Sequence, residues 1–123
     1  MLPPDLHTPF ANSEDRSRAA RQLTERHQIL ERLERLAALP ASQWPPGQIE
    51  QFPPSLAEHG EHPAERLARW QALFADELRQ VRDVRNAIAH GRISDVELRT
   101  ALYLAGRLLD FAYGDGVREA NRV

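Results

Sequence analysis

Two residue types are missing from this chain of 123 residues, and each absence removes chemistry. Without cysteine there is no disulfide framework, no thiolate metal site and no thiol nucleophile. Without lysine there is no Schiff-base amine and no ammonium for a phosphate-binding loop, because all 16 basic residues are arginine. That bias follows from GC-rich coding, or from a use for guanidinium forks on phosphate; composition does not separate the two. Long apolar runs are also lacking, and none approaches the roughly 18 residues that span a bilayer. The opening stretch MLPPDLHTPF has no basic start and no apolar core, so it does not read as a secretory signal, and a cytoplasmic protein is expected. The net charge of −2 argues against a chain that coats nucleic acid indiscriminately. No Gly-rich phosphate loop, no Ser-His-Asp signature and no paired carboxylates stand out.

What is present is helical patterning, and no internal repeats. The length suits one domain. Residues 1–11, with three prolines in the first ten, carry no periodicity and are expected to form a mobile tail. A first helix opens near Asn12 or Ser13, with Glu14 and Asp15 in its first turn, and runs to about Leu39 before Pro40. Its stripe is Ala19, Leu23, Leu30, Leu33 and Ala37, widened by Ile29 and Leu36. Residues 40–62 hold five prolines and two glycines, and read as a crossover with short helical pieces, one of them capped between Ser55 and Glu58. Trp44, Ile49, Phe52 and Leu56 can anchor it; Trp44 and Trp70 suit packing better than base stacking. A second long helix is expected from Pro63 to His90, with Leu67, Trp70, Phe74, Leu78, Val81, Val84 and Ile88 on one face and Gly91 as a left-handed cap. Ser94-Asp95-Val96-Glu97 reads as a capping box for a third helix to about Ala112. That helix is apolar over more than half its circumference, which suits several neighbours or a homodimer. Residues 114–123 read as a second mobile tail, leaving 12–113 as the domain: an all-α, small antiparallel helical bundle of three long helices.

The chemistry concentrates at the end of the second helix, in Arg85-Asn86-Ala87-Ile88-Ala89-His90-Gly91. On a wheel of roughly 100° per residue, Arg79, Asp83, Asn86 and His90 form a polar stripe. Arg85 lies about 140° from His90, near Val81 and Ile88. An arginine there snorkels, pairs with a carboxylate such as Asp110, or awaits an anion. The whole segment also reads more simply as a helix terminus, with His90 favoured by the dipole. Arg21 and His27 repeat a similar spacing inside the first helix, but mid-helix and without a glycine stop, and read as accidental. His7 and His27 carry no readable role. His59 and His62, beside Glu58 and Glu61, have a metal-like spacing but fall in a glycine-broken loop.

This segment resembles the motif of the HEPN superfamily, an arginine, a following polar residue and a histidine four to six residues beyond. Here these are Arg85, Asn86 and His90. The neighbourhood resembles HEPN domains as well, in a long helix ending RNAIAHG followed by ISDVELRTALYLAGRLLDFA, over roughly residues 63 to 112. The resemblance implies a HEPN-like bundle and a metal-independent endoribonuclease with no cofactor. It makes Arg85, Asn86 and His90 catalytic, RNA the substrate and a homodimer the working unit. It also implies a toxic or defensive role in a prokaryotic system, with an antitoxin or regulatory protein as a further partner. HEPN domains without catalysis exist too, so a non-catalytic module binding a nucleotide, an RNA or a protein remains the alternative.

Overall fold

The computed structural model describes residues 4–47 and 62–113. They are all-helical where regular, and the four α-helices pack against one another as a small bundle. After a 3-10 turn at Pro4–His7, α1 spans Ser13–Ala37 and a second 3-10 turn spans Ala41–Gln43. Then follow α2 (Pro63–Leu73), α3 (Ala75–Ile88) and α4 (Asp95–Tyr113).

Local chemistry sets most of the ends. Asn12 caps α1, its side-chain oxygen accepting from the Asp15 amide at 2.8 Å. The far end of α1 is closed by Trp44, whose buried indole donates to the Leu36 carbonyl at 3.1 Å, as expected of an anchor. Pro63 occupies the first turn of α2, and the His62 ring caps it by accepting from the Ala64 amide through Nδ1 at 3.0 Å. His62 is thus used in a cap. The other residues of the metal-like spacing, Glu58, His59 and Glu61, lie outside the described residues. So do the anchors Ile49, Phe52 and Leu56, the turn from Ser55 and the tail 114–123. The Ser94 hydroxyl accepts from the Glu97 amide at 3.1 Å, the capping half of the expected box, and donates to the Glu97 carboxylate at 3.0 Å, so the glutamate meets the hydroxyl rather than the Ser94 backbone amide.

The core is one cluster drawn from every helix. Leu23, Leu30 and Leu33 come from α1, Leu67 and Trp70 from α2, Leu78 and Val81 from α3, and Leu98, Ala101, Ala105 and Leu108 from α4. Each fully buried leucine is worth about 1.5–3 kcal/mol. The exposed pairs Arg18–Asp15 (3.6 Å) and Arg79–Asp76 (3.0 Å) contribute at most ~1 kcal/mol each, so burial decides the fold. Across the bundle, Arg26 of α1 donates to the Leu102 carbonyl of α4 at 2.8 Å. Gly106 leaves room for that guanidinium, since a Cβ there would stand 3.3 Å from Arg26 Nη1.

Two features depart from the sequence reading. The expected single helix 63–90 is two helices, broken at Phe74 (φ −111°, ψ 24°). Neither proline nor glycine, the usual causes of a sharp kink, lies there. The cause is tertiary. The Phe74 ring stacks on Phe111 of α4 at 5.1 Å and 9°, while Trp70 Nε1 donates to the Leu108 carbonyl at 2.9 Å. The second departure is the N-terminal segment, expected as a mobile tail. Its residues 4–10 lie against α4: Leu6 is buried, the Phe10 amide donates to Asp95 Oδ2 at 3.0 Å, and Arg99 covers the Phe10 ring at 4.1 Å while donating to the Thr8 carbonyl. Apolar anchors and charge-assisted bonds outweigh the absence of regular structure. Arg16 reinforces this corner, bonding Asp95 and the Ile93 carbonyl.

Candidate functional site at the end of helix α3

The segment 85–91 closes α3 through a Schellman turn. The Arg92 amide donates to the Ala87 carbonyl at 3.4 Å and the Gly91 amide to the Ile88 carbonyl at 3.1 Å. Gly91 takes φ +66°, the left-handed conformation that its lack of a side chain permits, as expected. Regular helix stops at Ile88, two residues short of the expected end, so His90 stands in the turn. Its backbone amide donates to the Ala87 carbonyl at 3.1 Å, while its exposed imidazole has no hydrogen-bond or ion-pair partner among the described residues.

Arg85 is half-buried next to the buried Val81 and the half-buried Ile88. Its Nη1 donates to Asn86 Oδ1 at 3.3 Å. Among the described residues it forms no ion pair, and Asp110 does not neutralise it. The structure therefore joins Arg85 to Asn86 and leaves His90 a turn further on, linked to neither. The polar stripe Arg79, Asp83, Asn86, His90 is exposed throughout.

The neighbourhood of Arg85 contains a residue to which the sequence assigned no role. His27 is the buried polar residue of the core, 7% exposed, and it falls in the apolar stripe of α1 between Leu23 and Leu30. Burial pushes its pKa below 6.5. Glu31 opposes that shift, while the positive charges of Arg85 and Arg82 reinforce it. Glu34, further along α1, has its carboxyl raised above 4.5 by burial and by Glu31, against the pull of Arg82. The charges of Arg82 and Arg85 on α3 thus reach His27 on α1, and that of Arg82 reaches Glu34. The signal for His27 was the gap in the α1 stripe: Leu23 and Leu30 are seven apart, and residue 27 fills the helical position between them.

Chemically, this end of α3 offers a half-buried arginine with no counter-carboxylate among the described residues, a side-chain amide bonded to it, and an exposed imidazole in the following turn. Such a set suits a phosphate diester, with arginine for charge and histidine for proton transfer. Two surface grooves lie elsewhere. One, lined by Asp76, Arg79, Gln80, Asp83, Val84 and Val96 among others, and one at the α2–α3 break both omit Arg85, Asn86 and His90. Among the described residues no three His, Asp or Glu side chains converge as a metal site, and no helix is long and apolar enough to cross a membrane.

The class these observations define is a small all-α bundle with a polar, arginine- and histidine-bearing helix end. No protein-family model matches the chain, and neither a curated protein nor a solved structure does.

Proposed function

We propose that the chain is a HEPN-type endoribonuclease that cleaves RNA without a metal ion, with Arg85, Asn86 and His90 as its catalytic residues. The observation that carries the reading is the half-buried Arg85, which has no carboxylate partner among the described residues and is bonded only to Asn86. A guanidinium in that position is available to a phosphate.

In the proposed reaction the ribose 2′-oxygen attacks phosphorus, its proton passing to a histidine. The bond to the 5′-oxygen breaks as that oxygen takes a proton from a second histidine. The products are a 2′,3′-cyclic phosphate and a 5′-hydroxyl. Arg85 stabilises the negative charge that gathers on the phosphorane, and Asn86 orients Arg85 or the phosphate. One chain supplies one His90, so a two-fold homodimer would supply both acid and base. A toxic or defensive role, a restraining antitoxin and a cytoplasmic setting belong to the same proposal, and rest on the HEPN resemblance.

The test is cleavage of RNA in EDTA by the wild type, His90→Ala and Arg85→Ala. Products ending in 2′,3′-cyclic phosphate, lost in both variants, are expected. Equal cleavage by all three proteins, or none by the wild type, would overturn the reading.

A further inference from the structure

The break between α2 and α3 opens a groove of about 770 Å³, lined by Arg66, Arg69, Trp70, Leu73, Phe74 and Phe111 along with Ala72. Leu73 is 73% exposed and Phe111 39%, which makes this the main apolar exposure among the described residues. Among the described residues no carboxylate lines the groove. Arginines do, and a third, Arg107, sits over the Phe111 ring at 4.9 Å. Arg66 donates through Nη2 to the Phe111 carbonyl at 3.1 Å, yet its buried Nε has no acceptor. Among the described residues the groove thus joins uncovered apolar surface to the positive charge of Arg66 and Arg107.

We propose that this groove docks an acidic amphipathic helix of a partner protein. Its apolar side chains would cover Leu73 and the Phe74–Phe111 stack, and its carboxylates would face the arginines. Charge decides against a second copy of this chain. A two-fold contact would bring the same arginine-rimmed surface against itself, with no acid among the described lining residues to offset it. Single-stranded RNA fits less well, because base stacking needs an available ring. Phe111 is already stacked on Phe74 and covered by Arg107, Trp70 is buried in the core, and the most exposed lining residue is an aliphatic leucine. The inference does not depend on the nuclease reading.

The test uses a fluorescein-labelled synthetic helical peptide with leucines on one face and glutamates on the other. Two controls replace the glutamates by lysine or the leucines by serine. Fluorescence anisotropy with the full chain should show binding of the acidic leucine peptide only. Leu73→Ser should weaken it by roughly thirtyfold, the scale of an interface hot spot, and Leu73→Glu should weaken it further by repelling the carboxylates. Arg107→Gln should also weaken it, and circular dichroism of each variant should match the wild type, since Leu73 is outside the core. The inference fails if the lysine peptide binds equally well or if no peptide binds. It also fails if Leu73→Ser instead abolishes binding of a single-stranded RNA, or dissociates a dimer of this chain in sedimentation.

Discussion

At its first turn α3 borders exposed leucine and stacked phenylalanines rimmed by arginine; its last turn carries Arg85 and Asn86, with His90 in the turn that follows and the buried His27 within reach of the Arg85 charge. Arginine dominates both ends but does different things. At the break, Arg66 and Arg107 lie on aromatic and backbone groups of α4, so their stems and planes help to pack. At the far end, the Arg85 guanidinium donates to the Asn86 amide oxygen and has no ion-pair partner among the described residues. The lesson is that an arginine-only chain has to be read by partner, not by count.

The sharpest way to break the comparison is at the polar end. Under the proposed function, His90→Ala should lower RNA cleavage by ~10²–10⁴-fold, the usual worth of a general acid or base. Unfolding midpoints should hardly move, because the His90 imidazole is exposed and unpartnered among the described residues. A large loss of stability would make it a structural residue instead. At the apolar end, neighbours three residues apart should behave oppositely in urea. Trp70→Ala should cost about 3–5 kcal/mol, because the ring is buried and bonded to Leu108. Leu73→Ala should stay within about 0.5 kcal/mol. Similar costs for both would mean that the groove is covered in the isolated chain.

Smaller effects should appear where the polar end is closed. Gly91→Ala should cost ~1–2 kcal/mol through its positive φ alone, since nothing lies within 4 Å of the added Cβ. Ser94→Ala should cost ~1 kcal/mol through the lost cap. Both are read from thermal denaturation. The last prediction concerns pH. The folded chain holds the His27 pKa below 6.5, so as pH falls through 6.5 the unfolded chain takes up a proton that the folded chain resists. Stability contributed by neutral His27 is therefore present above 6.5 and is lost below it, until the folded pKa is reached. Glu34 acts in the opposite sense, its raised carboxyl taking up a proton in the folded chain first. Subtracting the His27→Gln profile from that of the wild type isolates the histidine. A difference that does not change below 6.5 would show that His27 is not held neutral by the fold.

Much of the architecture was legible because it depends on neighbours in the chain. The caps at Asn12 and Ser94, the start at Pro63 and the left-handed Gly91 involve residues within a turn of one another. The site was legible as a set of residues, Arg85, Asn86 and His90, though not as an arrangement. The wheel placed Arg85 beside Val81 and Ile88, but a wheel shows one helix at a time and could not show that His27 of α1 senses the same arginine. It also carried the helix through Phe74, because no residue between 64 and 90 is a breaker.

The sequence by itself thus determined the helical class, most helix ends, which polar residues gather at the close of α3 and the absence of cysteine and lysine chemistry. Those depend on periodicity, composition and hydrogen bonds a few residues long. Only the tertiary structure decided that α2 and α3 part at Phe74, that residues 4–10 dock on α4, that His27 is buried near Arg85 and that Leu73 is left uncovered. The first two turn on contacts between residues distant in the chain, Phe74 with Phe111 and Phe10 with Asp95, and the last two on which side chains the packing of the helices covers. Pattern on a single helix specifies which face is apolar, but which neighbour meets that face, and where the cover runs out, is set by packing.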